Sequence, residues 1–147
     1  MKKRLFAFVL AVCMVLSLVP VAQATDSVFT DVDTDSWYAD AIRYAYESGL
    51  MNGIGEAQFA PNGVVSRAMV WTTLARQEGI ATEGGETWWA IAREWAMENG
   101  ISDGTFADND VTREQLVTML YRYAKYKGFD VSKTTSLSTY TDNTKVN

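Results

Sequence analysis

Trp37-Tyr38-Ala39-Asp40-Ala41-Ile42-Arg43-Tyr44-Ala45 and Trp88-Trp89-Ala90-Ile91-Ala92-Arg93-Glu94-Trp95-Ala96 align at an offset of 51 residues, and this pairing decides the fold. The match runs on downstream. At the same offset Glu47, Gly49 and Gly53 meet Glu98, Gly100 and Gly104, and after a contraction of four residues Phe59 meets Phe106. One further residue of contraction brings Ser66-Arg67, Val70, Leu74 and Arg76 onto Thr112-Arg113, Leu116, Leu120 and Arg122. An ordered series of matches at a near-constant period is the signature of a structural repeat. Tyr140-Thr141-Asp142 echoes Phe29-Thr30-Asp31, so the chain reads as two complete units and the start of a third.

Each unit has the pattern of helix, loop, helix. In the first, Ser36 is placed to cap a helix that Gly49 ends, with Trp37, Ala41 and Ala45 on one stripe and Tyr38 and Ile42 beside it. Leu50 to Val65, with Gly53, Gly55, Pro61 and Gly63, is a loop pinned by Phe59, and Ser66 then caps a second helix carrying Val70, Leu74 and Ala75 to Gly79. The second unit repeats the plan. Thr87 caps, Gly100 stops, Phe106 pins the loop, and Thr112 with Gln115 forms a capping box for a helix through Leu116, Val117, Leu120 and Ala124 to Gly128. The expected organisation is a leader over 1–24, a first repeat over 25–79, a linker over 80–87, a second repeat over 88–128, and a linker with the third start over 129–147. The fold class is all-α.

The leader is read from Lys2, Lys3 and Arg4, the apolar run Leu5 to Val19, and Ala22-Gln23-Ala24 as a cleavage site. Its 15 apolar residues fall short of the roughly 20 that span a bilayer, so no membrane insertion is expected once it is cleaved. Cys13 lies inside it, leaving the mature chain to hold together without disulfides. The full chain has a net charge of -5; removing the leader takes three of its 13 basic residues and none of its 18 acids, giving -8. That field disfavours nucleic acid and anionic membranes. No histidine is present, which excludes imidazole triads and His-ligated metals.

Phe29-Thr30-Asp31-Val32, Trp37-Tyr38, Ala41-Ile42, Gly49-Leu50, Gly53, Phe59-Ala60-Pro61 and Val65-Ser66-Arg67-Ala68 together resemble the S-layer homology (SLH) repeat. The likeness covers most of 28–127. It departs where the glutamate of the family's helix-opening motif is Met69 in one unit and Gln115 in the other. The resemblance implies closure of three repeats around a pseudo-threefold axis, and a non-catalytic, cofactor-free module. It implies export to the cell wall or S-layer of a bacterium, where grooves between repeats bind secondary polysaccharide bearing ketal-linked pyruvate. The alternatives are self-association or protein binding in the envelope, with a second chain or the missing third repeat covering open apolar faces, or a fragment of a larger anchored protein without function of its own.

The residues supply a chemistry for that ligand. Arg67 and Arg113 each follow a helix cap, where free N–H groups and the helix dipole favour an anion and a guanidinium can grip a carboxylate by two parallel bonds. With a Debye length of about 8 Å, distant acids are screened from such a site. The competing reading pairs each arginine with a carboxylate of the chain, Asp31 or Asp103. Trp37 and Trp88 fit the core at helical spacing, with an edge free to stack on a sugar. Trp71 and Trp95 have no matching tryptophan and are given no role. Gly53, Gly104 and Asp103 are placed to hydrogen-bond hydroxyls, although turn chemistry accounts equally for the glycines. Asp31, Asp33 and Asp35 fail as a calcium loop because Ser36 and Ile42 stand where glycine and glutamate belong. No acid dyad is duplicated that could support glycoside hydrolysis, so neither metal nor catalysis is expected.

Overall fold

A computed structural model describes residues 28–136, 138, 140 and 141. The expected leader over 1–24, with Cys13, and Asp142 of the expected third start lie outside the described residues. The chain is all-α, with helices α1 (Ala39–Glu47), α2 (Arg67–Gln77), α3 (Ala90–Glu98) and α4 (Arg113–Tyr126) and no strand among the described residues. Among these residues no helix is long and apolar enough to cross a membrane.

The helices stop where the glycines stand. Gly49, Gly79, Gly100 and Gly128 take positive φ just beyond the helix ends, and Leu50 N–H returns to the Ala45 carbonyl at 2.8 Å, as Ile101 N–H does to Ala96. The starts follow expectation in only two of four cases. Ser66 accepts from Met69 N–H, and Thr112 forms its capping box with Gln115. Ser36 and Thr87 do not cap with their side chains: α1 and α3 begin at Ala39 and Ala90, after Tyr38 and Trp89. The Ser36 and Thr87 carbonyls instead accept from Ala39 and Ala90 N–H, so a tight turn precedes each helix.

That turn re-aims the first helix. Ile42 is buried and Tyr38 half-buried, whereas Trp37 and Ala41 face outward, so the expected Trp37–Ala41–Ala45 stripe is not the buried one. Ile42 joins Phe29 and Val32 in a small core, against which Tyr38 and Phe59 pack. The main core is shared between the units: Ala68, Val70, Trp71, Leu74 and Ala75 of α2 meet Ala92, Trp95 and Ala96 of α3, with Ile101 and Met119. Trp71 and Trp95, which the repeat left without a role, are therefore core residues. On α4 the buried residue is Met119; Val117 and Leu120, expected inside, are 62% and 46% exposed.

The loops correct the alignment by one residue. Gly63 N–H donates to Ala60 and Asn109 N–H to Phe106, and Ala60 and Phe106 share a left-handed φ of 58° and 52°. Phe106 is thus the counterpart of Ala60, not of Phe59, and is 71% exposed rather than pinned. Phe59 does pin its loop, edge-on to Phe29 at 5.2 Å.

Candidate functional site

Two concavities occupy corresponding places in the two units. The first, about 490 Å³, is lined by Asn52 and Gly53 of the first loop, Met69, Thr72 and Arg76 of α2, and Trp88 of the second unit. The second, about 230 Å³, is lined by Ser102 and Asp103, by Gln115, Thr118 and Arg122 of α4, and by Arg67 reaching over from α2. Their counterparts pair through the repeat: Asn52 with Asp103, Met69 with Gln115, Thr72 with Thr118, Arg76 with Arg122. One hydrogen bond recurs in both. Arg76 Nη1 donates to the Leu50 carbonyl and Arg122 Nη1 to the Ile101 carbonyl, each at 3.5 Å.

The chemistry of the two grooves differs. Arg76 also donates to Thr82 at 2.9 Å and pairs with Glu83 at 3.5 Å, and the Thr72 hydroxyl is buried without a partner among the described residues. Arg122 is exposed and, among the described residues, makes only its bond to Ile101. It keeps guanidinium N–H groups for a ligand.

Arg67 is 8% exposed and engaged by its own protein. Nε donates to the Thr105 carbonyl at 2.8 Å, and Nη2 donates to Ser102 at 3.2 Å and to Asp103 at 2.5 Å, while the guanidinium lies over the Trp71 ring. The N–H groups expected to be free are occupied too: Arg67 N–H donates to Asn109 at 3.0 Å and Ala68 N–H to Ala107 at 2.9 Å. Arg67 therefore joins the two units, with Asp103 as its acid, which is the competing pairing read from the sequence. The Asp103 pKa is lowered from its ordinary value, first by Thr105 N–H and then by the Thr105 hydroxyl and the Arg67 charge. Asp31, the other acid considered, accepts from Phe59 and Ala60 N–H at 2.9 and 2.8 Å, which lowers its pKa and fastens the first loop.

The remaining expected residues fall apart in space. Gly53 and Trp88 line the first groove and Arg67 and Asp103 the second, whereas Arg113 and Trp37 line neither. Trp37 is 93% exposed and Trp88 53%, so neither is core. Their turns place them just before α1 and α3 rather than on a buried helical stripe. Gly53 and Gly104 are turn glycines with positive φ, where a Cβ would strike the Gln58 carbonyl and the Met97 side chain respectively. Arg76 and Arg122 were missed as site residues, although the repeat already matched them.

An all-α chain with two concavities in corresponding places is the class of protein these features define. The family model for the S-layer homology domain matches residues 28–68. Over 98% of its length the chain is 26% identical to an endoglucanase of Bacillus sp. (strain KSM-635), of which it covers 17%. It is 26% identical over 87% of its length to a cell surface protein of Thermoanaerobacter kivui, covering 19% of that protein. It is 30% identical over 54% of its length to the surface-layer 125 kDa protein of Lysinibacillus sphaericus, covering 8%. The chain thus spans less than a fifth of the length of these curated relatives. No solved structure gives a significant match. The domain and these relatives mark an exported, cell-surface-associated protein.

Proposed function

We propose that this chain anchors to the bacterial cell wall by noncovalent binding of wall polysaccharide in its two inter-unit grooves, and that it carries no catalysis of its own. The second unit acts as a second repeat of the same kind. The observation that carries this reading is the pair of equivalent grooves, each floored by an arginine making the same bond. In the first, the exposed Trp88 ring offers a flat face to the C–H surface of a pyranose, beside the Gly53 turn and the Thr72 hydroxyl. In the second, Arg122 meets the carboxylate of a pyruvate ketal, and the Arg67–Asp103 pair forms the opposite wall. A charge-assisted bond contributes about 1.5–3 kcal/mol, so one guanidinium is worth at least roughly tenfold in affinity. A repeating polymer engaging both grooves adds avidity. Enzymatic relatives share only this small part of their length with the chain, which is consistent with anchoring as the shared task.

Sedimentation with purified sacculi tests the proposal. The chain is expected to pellet with intact sacculi and to stay in solution once wall polysaccharide has been extracted. Trp88→Ala combined with Arg122→Gln is expected to lower retention by tenfold or more with helix content unchanged. Equal pelleting with extracted sacculi, or full retention of the double variant, would overturn it.

A further inference from the structure

The joint between the units is formed once among the described residues, and both of its halves are exposed again at the two far faces. At the joint, Arg67 and Ala68 N–H and the Arg67 guanidinium donate to the carbonyls of Asn109, Ala107 and Thr105, while Val111 N–H returns to the Val65 carbonyl. With the loop register fixed by the Ala60 and Phe106 turns, the counterparts of these acceptors on the first unit are the Gly63, Pro61 and Phe59 carbonyls. The counterparts of the donors on the second unit are Arg113 and Glu114 N–H and the Arg113 guanidinium. None of these groups has a hydrogen-bond partner among the described residues.

The apolar faces tell the same story. Trp71, Leu74 and Ala75 of α2 are covered in the contact with α3, but their α4 counterparts Val117, Leu120 and Tyr121 are 62%, 46% and 50% exposed. On the other side, Trp95 of α3 is 8% exposed, while its α1 counterpart Tyr44 is 64% exposed. The bare face of α4 and the bare face of α1 are thus the two sides of a contact whose geometry the chain already displays in α2 against α3.

We propose that these two faces meet between molecules: the start and bare face of α4 in one copy seat on the Phe59–Val65 loop and bare face of α1 in a second copy. The occupant is a second copy because this chain itself carries both matching halves, donors and acceptors included. Such a contact is heterologous, so each copy offers one half at either end, and association either closes between copies or grows. Buried apolar stripes supply the attraction and Arg113 the register, as Arg67 does at the internal joint.

Site-specific cross-linking tests this. Ser66 and Asp110 face each other as an antiparallel bridge at the internal joint; their counterparts are Thr112 and Val64. Two chains, one with Val64→Cys and one with Thr112→Cys, both with Cys13→Ser, are mixed and oxidised. A disulfide-linked pair is expected in the mixture at a yield several-fold above either chain alone, and is expected to disappear when Arg113→Glu is added to the Thr112→Cys chain. Ser66→Cys with Asp110→Cys in one chain is the positive control. Because Thr112 is a cap, sedimentation equilibrium of the otherwise unaltered chain and of Arg113→Glu provides a second reading, with a concentration-dependent mass expected for the first and a monomer for the second. A monomer at high concentration, cross-linking that survives Arg113→Glu, or cross-linking that requires sacculi would overturn the proposal, the last assigning these faces to wall material.

Discussion

Arg67 and Arg113 stand at the same position in two helices, yet the first is held by three groups of the neighbouring unit and the second has no partner among the described residues. Replacing Arg67 by alanine removes those bonds and leaves the Thr105 carbonyl and Asp103 without their cation. We expect a loss of about 2–3 kcal/mol of stability, measured by urea unfolding, against less than about 0.5 kcal/mol for Arg113→Ala in dilute monomer. The sequence placed both arginines after a cap, but it could not show which of them had a loop to close on, because that depends on a partner about 35 residues away in the chain. The tryptophans teach the same lesson. Trp71 is fully buried and Trp37 is 93% exposed, so Trp71→Ala is expected to cost about 3–5 kcal/mol and Trp37→Ala almost nothing in stability, by the same urea measurement.

At the scale of elements, helix ends were more legible than helix starts. A glycine at the C-terminal stop acts through its own backbone, whereas a serine or threonine caps only if its side chain turns back onto the helix. Thr112 does so and Ser36 does not. Thr112→Ala is accordingly expected to lower the thermal midpoint by the equivalent of about 1 kcal/mol, and Thr87→Ala by much less. The register of the loops was misread for a related reason. Phe59 and Phe106 match in sequence, but left-handed backbone at Ala60 and Phe106 shows that the whole contraction precedes the turn. A deletion inside a loop can be placed by letter matching only to within a residue or so.

For the whole molecule, α2 and α4 are tied together at their far ends by Glu78, which accepts from the Tyr123 hydroxyl and from Lys127 Nζ. The Tyr123 bond foremost, then Lys127, lowers the Glu78 pKa below its ordinary 4.5. A depressed carboxylate contributes stability that is fully present above the unfolded value and is lost as pH falls through the folded one. Stability should therefore begin to drop below about pH 4.5, with Asp103 and Asp31 adding to the loss at lower pH, and Glu78→Gln should flatten the upper part of that curve in denaturant titrations. Burial and the Glu78 bond push Tyr123 from its ordinary 10.0 up to about 12, so its contribution is fully present below the ordinary value and is lost as pH rises from there towards about 12. The all-α repeat architecture was legible because periodicity survives substitution. The grooves were only half legible, since they form between units and Arg76 and Arg122 acquire their place from the Leu50 and Ile101 carbonyls. The most direct measurement of the central claim is an NMR titration of the tryptophan indole N–H signals with solubilised wall polysaccharide. Binding in the grooves predicts that the Trp88 signal shifts saturably while those of Trp71 and Trp95 stay in place; an unmoved Trp88 signal at saturating glycan would contradict it.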